Sequence, residues 1–237
     1  MSKSATRPRV TFLEVIAELA ITAGVLVLLY VAWLLWFNDA ISAGAQREAA
    51  VQVTTVWDEE PPAPAPAEPG EIPILDDPDY DTTFAVLKVP RWGTDYKVPI
   101  IASNTTDTLK RGIAHYDKTQ MPGEVGNFAI AGHRTTYGSP FAGIAELRLG
   151  DALVVETKLG WYIYRWRNTE YVWPTGTGVL APVPQNGTKN PRGDRVITLT
   201  SCHPRFSAAE RIIGYGVFDR FQPRSAGAPA ELNGGTA

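Results

Sequence analysis

A single cysteine, Cys202, excludes any disulfide bridge within the chain. The three histidines, at positions 115, 133 and 203, are scattered and share no zinc-type ligand spacing with that thiol, so neither a metal nor another cofactor is expected. No block of lysine and arginine stands out against a formal net charge of −3, which argues against nucleic acid as a partner. No glycine-rich loop opens a helix in a phosphate-binding arrangement, and no repeat of fixed period appears. Beyond residue 83 there is also no long stretch of helical period.

What is present begins with a long apolar run. Leu19 to Phe37 reads LAITAGVLVLLYVAWLLWF, carries no charge and would span roughly 30 Å as a helix, enough for one membrane crossing. Lys3, Arg7 and Arg9 precede it, which predicts a cytoplasmic N-terminus and an extracytoplasmic remainder. Trp33, Trp36 and Phe37 sit at the exit end, where amphipathic rings favour the headgroup layer. The competing reading is a cleaved signal peptide, with Ser42 to Ala45 as a small-residue cleavage site, but the run exceeds the usual apolar core of about 7 to 15 residues. The expected plan is a tail (1–11), an anchor (12–37), a stalk (38–82), a β-domain (83–223) and a polar tail (224–237). Within the stalk, Glu59 to Pro73 alternates Pro with Ala and Glu, the composition of a semi-rigid polyproline spacer.

From Phe84 to about Phe221, short β-type runs are separated by turn residues. They begin near Phe84, Tyr96, Asn127, Ala152, Trp161, Asp194 and Arg211, and Leu159-Gly160 is the expected tight connection between two of them. Seven or eight strands in such a length predict a mainly β domain, a closed barrel or a sandwich, with one short helix near Ser139 to Leu147.

An extracytoplasmic domain meets an oxidising environment in which cysteines usually pair, so a lone thiol is either a small buried hydrophobe or a nucleophile. The segment RVITLTS is β-branched, and Cys202 stands where it gives way to His203-Pro204. A further strand starts at Arg211, nine residues on. If the two pair antiparallel, Cys202 and Arg211 become neighbours, and a guanidinium can favour a thiolate or hold an oxyanion. His133 ends NFAIAGH in the same strand-exit setting and is the best available acid and base. His203 should point away from Cys202, because neighbours in an extended chain face opposite sides, and His115 falls in an expected loop.

TLTSCHPRFSAAER (198–211) together with AIAGHRTTYGSPF (129–141) resembles the sortases, membrane-anchored cysteine transpeptidases of Gram-positive surfaces, and most closely their class E. Thr198, Leu199 and Cys202 match the TLxTC signature, with Ser201 in place of the usual Thr. The resemblance implies a sortase-type closed β-barrel of about eight strands. It assigns nucleophile, acid/base and oxyanion roles to Cys202, His133 and Arg211, and substrate contacts to Tyr116, Thr200, Ser201, His203 and Arg134. It further implies cleavage of an LAXTG- or LPXTG-like C-terminal sorting signal between Thr and Gly, and transfer of the surface protein through a thioester to a cell-wall amine of the lipid II type. Class C is disfavoured: in DDPDY, Tyr80 does not directly follow Pro78, although residues 74–82 remain a candidate cover. An L,D-transpeptidase is disfavoured because its SHGC-type motif is absent. The alternative from another class is a non-catalytic, membrane-tethered β-domain that binds wall polymer or a partner protein.

Overall fold

The computed structural model describes residues 11–33, 37–61, 71–184 and 193–233. Lys3, Arg7, Arg9, Trp36, most of the Pro-rich spacer and the end of the polar tail lie outside the described residues. The chain divides into two compact units, 1–38 and 39–237.

The first unit is helix α1 (Phe12–Ala32). Thr11 caps it by accepting from the Glu14 N–H, while the Glu14 carboxylate accepts from the Thr11 N–H, so two of the orphaned donors of the first turn are satisfied. Apolar side chains cover all of its sides, and among the described residues it is the one helix long and apolar enough to cross a membrane.

The second unit holds α2 (Asn38–Glu59) from Asp39 onward and continues into eight strands: β1 (Thr83–Lys88), β2 (Val98–Ile101), β3 (Ile113–His115), β4 (Gly126–Ala131), β5 (Ala152–Glu156), β6 (Gly160–Val172), β7 (Arg195–His203) and β8 (Glu210–Pro223). They close into a barrel in the order β1-β2-β3-β4-β7-β8-β6-β5, which decides for the barrel over the sandwich that the strand pattern also allowed. Closure leaves no exposed edge. The short helix α3 (Thr106–Arg111) links β2 to β3. The segment near Ser139 to Leu147 contributes a single 3-10 turn, Ile144–Glu146.

Side-chain alternation divides the barrel wall into two faces. Phe128, Ile130, Ile197, Leu199 and Ile212 point into the core with Phe84, Leu87, Leu153, Tyr162, Tyr164 and Trp166. On the other face Val196, Ile213 and Tyr215 pack beneath Val179, from the connection between β6 and β7. That connection is pinned by Asn127, whose Nδ2 donates to the carbonyls of Val179 and Ala181, both at 3.0 Å.

Residues 71–82 join the barrel at the end remote from Cys202. Leu75 is buried in the core with Ile72 against it, and the Tyr162 hydroxyl, at the start of β6, donates to the Pro73 carbonyl at 2.6 Å. Ile72, Pro73 and Leu75 are therefore held beside the start of β6 rather than over Cys202. Helix α2 packs Ala50, Val53 and Trp57 against Val86 of β1. Near its end, the Arg224 guanidinium lies 5.6 Å from the Trp57 ring centre and 5.2 Å from that of Trp161, and pairs with Asp58 and Glu156.

Gly214 of β8 shows how tightly the core is filled. A Cβ there would stand 1.9 Å from Cη2 of Trp166, which is itself only 2% exposed and has nowhere to move. Gly214→Ala is expected to destabilise the domain by about 1 to 3 kcal/mol, the usual cost of overpacking. A drop in the urea midpoint of the full chain in detergent micelles checks this; an unchanged midpoint contradicts it.

Candidate active site

The site begins with strand pairing. Strand β4 runs parallel to β7 with Ala131 opposite Thr200, and the contact continues past the strand end: the Gly132 N–H donates to the Thr200 carbonyl at 3.1 Å, and the Ser201 hydroxyl donates to the Gly132 carbonyl at 2.7 Å. Continued two residues past the end of β4, this register would set His133 abreast of Cys202. On the other side β8 pairs antiparallel with β7, with Arg211 directly opposite Cys202. Strand pairing thus sets Cys202 against Arg211, and the chain leaving β4 carries His133 toward the same end of β7.

The period-2 alternation fixes which way these residues face. His133 has the parity of Ala129 and Ala131, Cys202 that of Thr198 and Thr200, and Arg211 that of Ile213 and Tyr215. Cys202 and Arg211 belong to the outer face, opposite Leu199 and Ile212, and the alternation of β4 continued past its end would give His133 the same side; each of the three is half-buried. The juxtaposition lies outside the lumen, which the core side chains fill.

No hydrogen bond joins Cys202 to His133 among the described residues. The His133 Nε2 is buried with no hydrogen-bond partner among the described residues, and the Tyr137 ring lies 5.0 Å away, centre to centre. Burial holds the His133 imidazole below its ordinary pKa, partly opposed by the negative charge of Asp39. The Arg211 Nη1 donates to the carbonyls of Ala208 and Glu210, both at 3.0 Å.

The other nominated residues fall into two groups. Arg134 and His203 have the opposite parity and meet behind the site: Arg134 Nη1 donates to His203 Nδ1 at 2.8 Å and to the Cys202 carbonyl at 3.3 Å. Accepting at Nδ1 leaves the proton of a neutral His203 on Nε2, which lies 3.9 Å from Glu210, while the Tyr171 ring packs alongside at 4.4 Å. His203 thus points away from Cys202, as an extended chain requires. Thr200 and Ser201 are buried, and their hydroxyls donate to the Ile130 and Gly132 carbonyls, which stitches β4 to β7. Tyr116 is within hydrogen-bond distance of the Thr200 hydroxyl, 3.1 Å, on the outer face. His115 belongs to β3 rather than to a loop; it is 4% exposed, with Nε2 3.1 Å from the Gln120 carbonyl and its ring against Phe84 and Phe128. Among the described residues no group of three or more His, Cys, Asp or Glu side chains could hold a metal ion.

A family model described as the sortase domain matches residues 87–218. The chain belongs to the sortase family. It is 37% identical over 226 residues to Sortase SrtE1 of Streptomyces coelicolor, covering 92% of this chain and 60% of that relative, and 29% identical over 214 residues to Sortase SrtE2 of the same organism, covering 86% and 80%. The chain thus spans about 60% of the length of the first of these relatives. Among solved structures, the SrtA sortase from Actinomyces oris matches with a TM-score of 0.64 and 38% identity, over 68% of this chain and 92% of that one. Sortase E1 from Streptomyces coelicolor with a tripeptide in the active site matches at 0.60 and 37%, over 64% and 97%. Sortase E from Streptomyces avermitilis matches at 0.59 and 37%, over 65% and 98%.

Sequence reasoning missed one contributor to this sortase site: α2, whose Asp39 and Gln46 bond the loop that follows His133. The mixed composition of Asn38 to Val56 allowed a helix there, but nothing in it pointed to a contact with the loop after His133.

The buried histidines generate a pH prediction. His115 and His133 are both held below the ordinary value of about 6.5 by burial, so below that pH the unfolded chain binds protons that the folded one refuses. Stability is then present above about pH 6.5 and falls as the pH drops, with His115 contributing a slope of at most about 1.4 kcal/mol per pH unit. Urea unfolding of the full chain between about pH 5 and 7 is expected to show this decline, and His115→Gln to flatten it; parallel profiles for the two proteins refute the assignment.

Proposed function

We propose that the chain is a membrane-anchored cysteine transpeptidase acting through Cys202, His133 and Arg211. The observation that supports the reading is the pairing of Cys202 with Arg211 on the outer face, at the end of β7 toward which the chain after β4 carries His133.

With burial favouring the neutral imidazole, His133 draws its proton from the Cys202 thiol as the substrate is attacked. The thiolate sulfur forms a bond to the Thr carbonyl carbon of a Thr–Gly peptide, and charge moves onto the carbonyl oxygen. Arg211 can turn its remaining N–H groups, beyond the Nη1 bonded to its own loop, toward that oxygen. Collapse of the tetrahedral species breaks the C–N bond, and His133 gives its proton to the departing Gly amine. A thioester remains on Cys202. An incoming amine then attacks it, His133 accepts the amine's proton, and the new amide leaves as the thiol is restored. The missing Cys202–His133 hydrogen bond fits a pair that tightens only with substrate in place.

The substrates are surface proteins bearing a C-terminal sorting signal of the LAXTG or LPXTG type, and the acceptor is a cell-wall precursor amine of the lipid II type. Similarity to sortases E favours the alanine-containing signal. Helix α1 anchors the enzyme, with the basic N-terminal residues in the cytoplasm and the barrel outside. Tyr116 and Arg134, with Thr200, Ser201 and His203, serve the site by shaping and bracing the strand ends around Cys202.

The test is cleavage of an LAXTG peptide, with and without an added amine, by the full chain in detergent micelles. Cys202→Ala is expected to abolish turnover. Arg211→Lys, which keeps the charge but loses the planar fork, should cost roughly 100- to 1,000-fold in kcat. Undiminished turnover by Cys202→Ala overturns the nucleophile. A folded wild type with no turnover, but with affinity for wall polymer, returns the chain to the tethered binding domain.

A further inference from the structure

The loop between His133 and Phe141 has an unusual backbone: Tyr137, Gly138 and Ser139 occupy the left-handed region in succession, at φ of 52°, 79° and 45°. Two of the three carry a side chain, and such residues persist there only where their surroundings over-determine them. The surroundings here are α2. Asp39 Oδ1 accepts from the Gly138 N–H at 2.7 Å, and Oδ2 accepts from the Ser139 hydroxyl at 2.8 Å. About two turns further along, the amide of Gln46, which is 3% exposed, donates to the Tyr137 carbonyl at 2.7 Å. The backbones touch so closely that a Cβ on Gly138 would stand 3.0 Å from the Ala43 backbone and 2.8 Å from Gln46 Oε1. At its far side the loop is tied to His133 directly, because the Phe141 N–H donates to the His133 carbonyl at 2.9 Å and the Tyr137 ring packs on the imidazole.

We infer that α2 is a positioning element for the transpeptidation reaction: Asp39 and Gln46 clamp the 137–139 loop, and the loop in turn sets the ring of His133 opposite Cys202. The inference rests on the acid/base role proposed for His133. Asp39 is bonded to backbone and hydroxyl rather than to the imidazole, so it is a positioning residue and takes no proton in the reaction. Its carboxylate also supports the charged form of His133 against burial. Of the other titratable groups, Tyr137 packs its ring on the imidazole, with Lys110 of α3 close to Tyr137, while the adjoining Arg134 turns its guanidinium to His203 and the Cys202 carbonyl.

Asp39→Ala is expected to lower kcat about ten-fold or more in the full chain while KM for the sorting peptide stays within about two-fold, because the loop's hold on His133 is lost and the substrate's contacts are not. Removing the carboxylate also lowers the His133 pKa further, so the limb of the kcat/KM profile that reports His133 moves to lower pH. Asp39→Asn retains an acceptor for the Gly138 N–H without the charge; it should recover most of kcat yet keep the displaced limb. Asp58→Ala, at the other end of the same helix, should match the wild type. A wild-type kcat and pH profile for Asp39→Ala overturns the inference, as does an equal loss in Asp58→Ala, which would mean general undocking of the helix. Near-wild-type activity in His133→Ala would instead refute the role assigned to His133. An inactive His133→Ala beside a normal Asp39→Ala would refute the clamp alone.

Discussion

The parallel pairing of β4 with β7 is the constraint on which the site depends. Antiparallel neighbours such as β7 and β8 are joined by a short turn, but a parallel pair needs a long connection and gains nothing from local chain geometry. Here about 63 residues separate the end of β4 from the start of β7, and the register is held by what lies between the two strands. Thr198 donates to Asn127 at 2.7 Å, Thr200 to the Ile130 carbonyl and Ser201 to the Gly132 carbonyl. A slip of one residue would send every side chain of β7 to the other face, burying Cys202 toward the core and exposing Ile197 and Leu199. The apolar cost of exposing those two residues protects the outward placement of the thiol.

The rest of the unit supports that arrangement from behind and from the side. Arg134 and His203 occupy the opposite face, where a guanidinium bonded to the Cys202 carbonyl braces the backbone that carries the thiol. Asn127 holds the β6–β7 connection against the outer face next to the same strands. Helix α2 reaches from the loop after His133 to Arg224, so one helix touches both the site and the far end of the barrel.

How much of this was readable in the sequence depends on the range of the interaction. Strand β7 and its exit at Cys202 were legible because Val196, Ile197, Thr198 and Thr200 are β-branched and His203-Pro204 breaks the run. The opposition of Cys202 and Arg211 followed from a short loop between two adjacent strands. Gly160 at φ 150° closes the expected β5–β6 turn. Strand β3 was not legible: Ile113 to His115 is three residues long, too short for any alternation to stand out, and its pairing partners lie in other parts of the chain. The helical period of α2 was hidden for a different reason. Its buried stripe is Gln46, Ala50, Val53 and Trp57, in which a polar and a small residue take two of the four places. The β4–β7 register was not legible; His133 was nominated from its strand-exit setting and from resemblance to the sortases, since no local pattern reports a parallel pairing across so long a connection.

The central claim is that Cys202 forms a covalent bond to the acyl half of a sorting signal. Intact-protein mass spectrometry of the full chain, after incubation with an LAXTG peptide and no added amine, tests it most directly. The account predicts a mass increase equal to the portion of the peptide ending at Thr, mapped to Cys202 and released by hydroxylamine. Turnover of the peptide with no adduct on Cys202, or an adduct on any other residue, would contradict it.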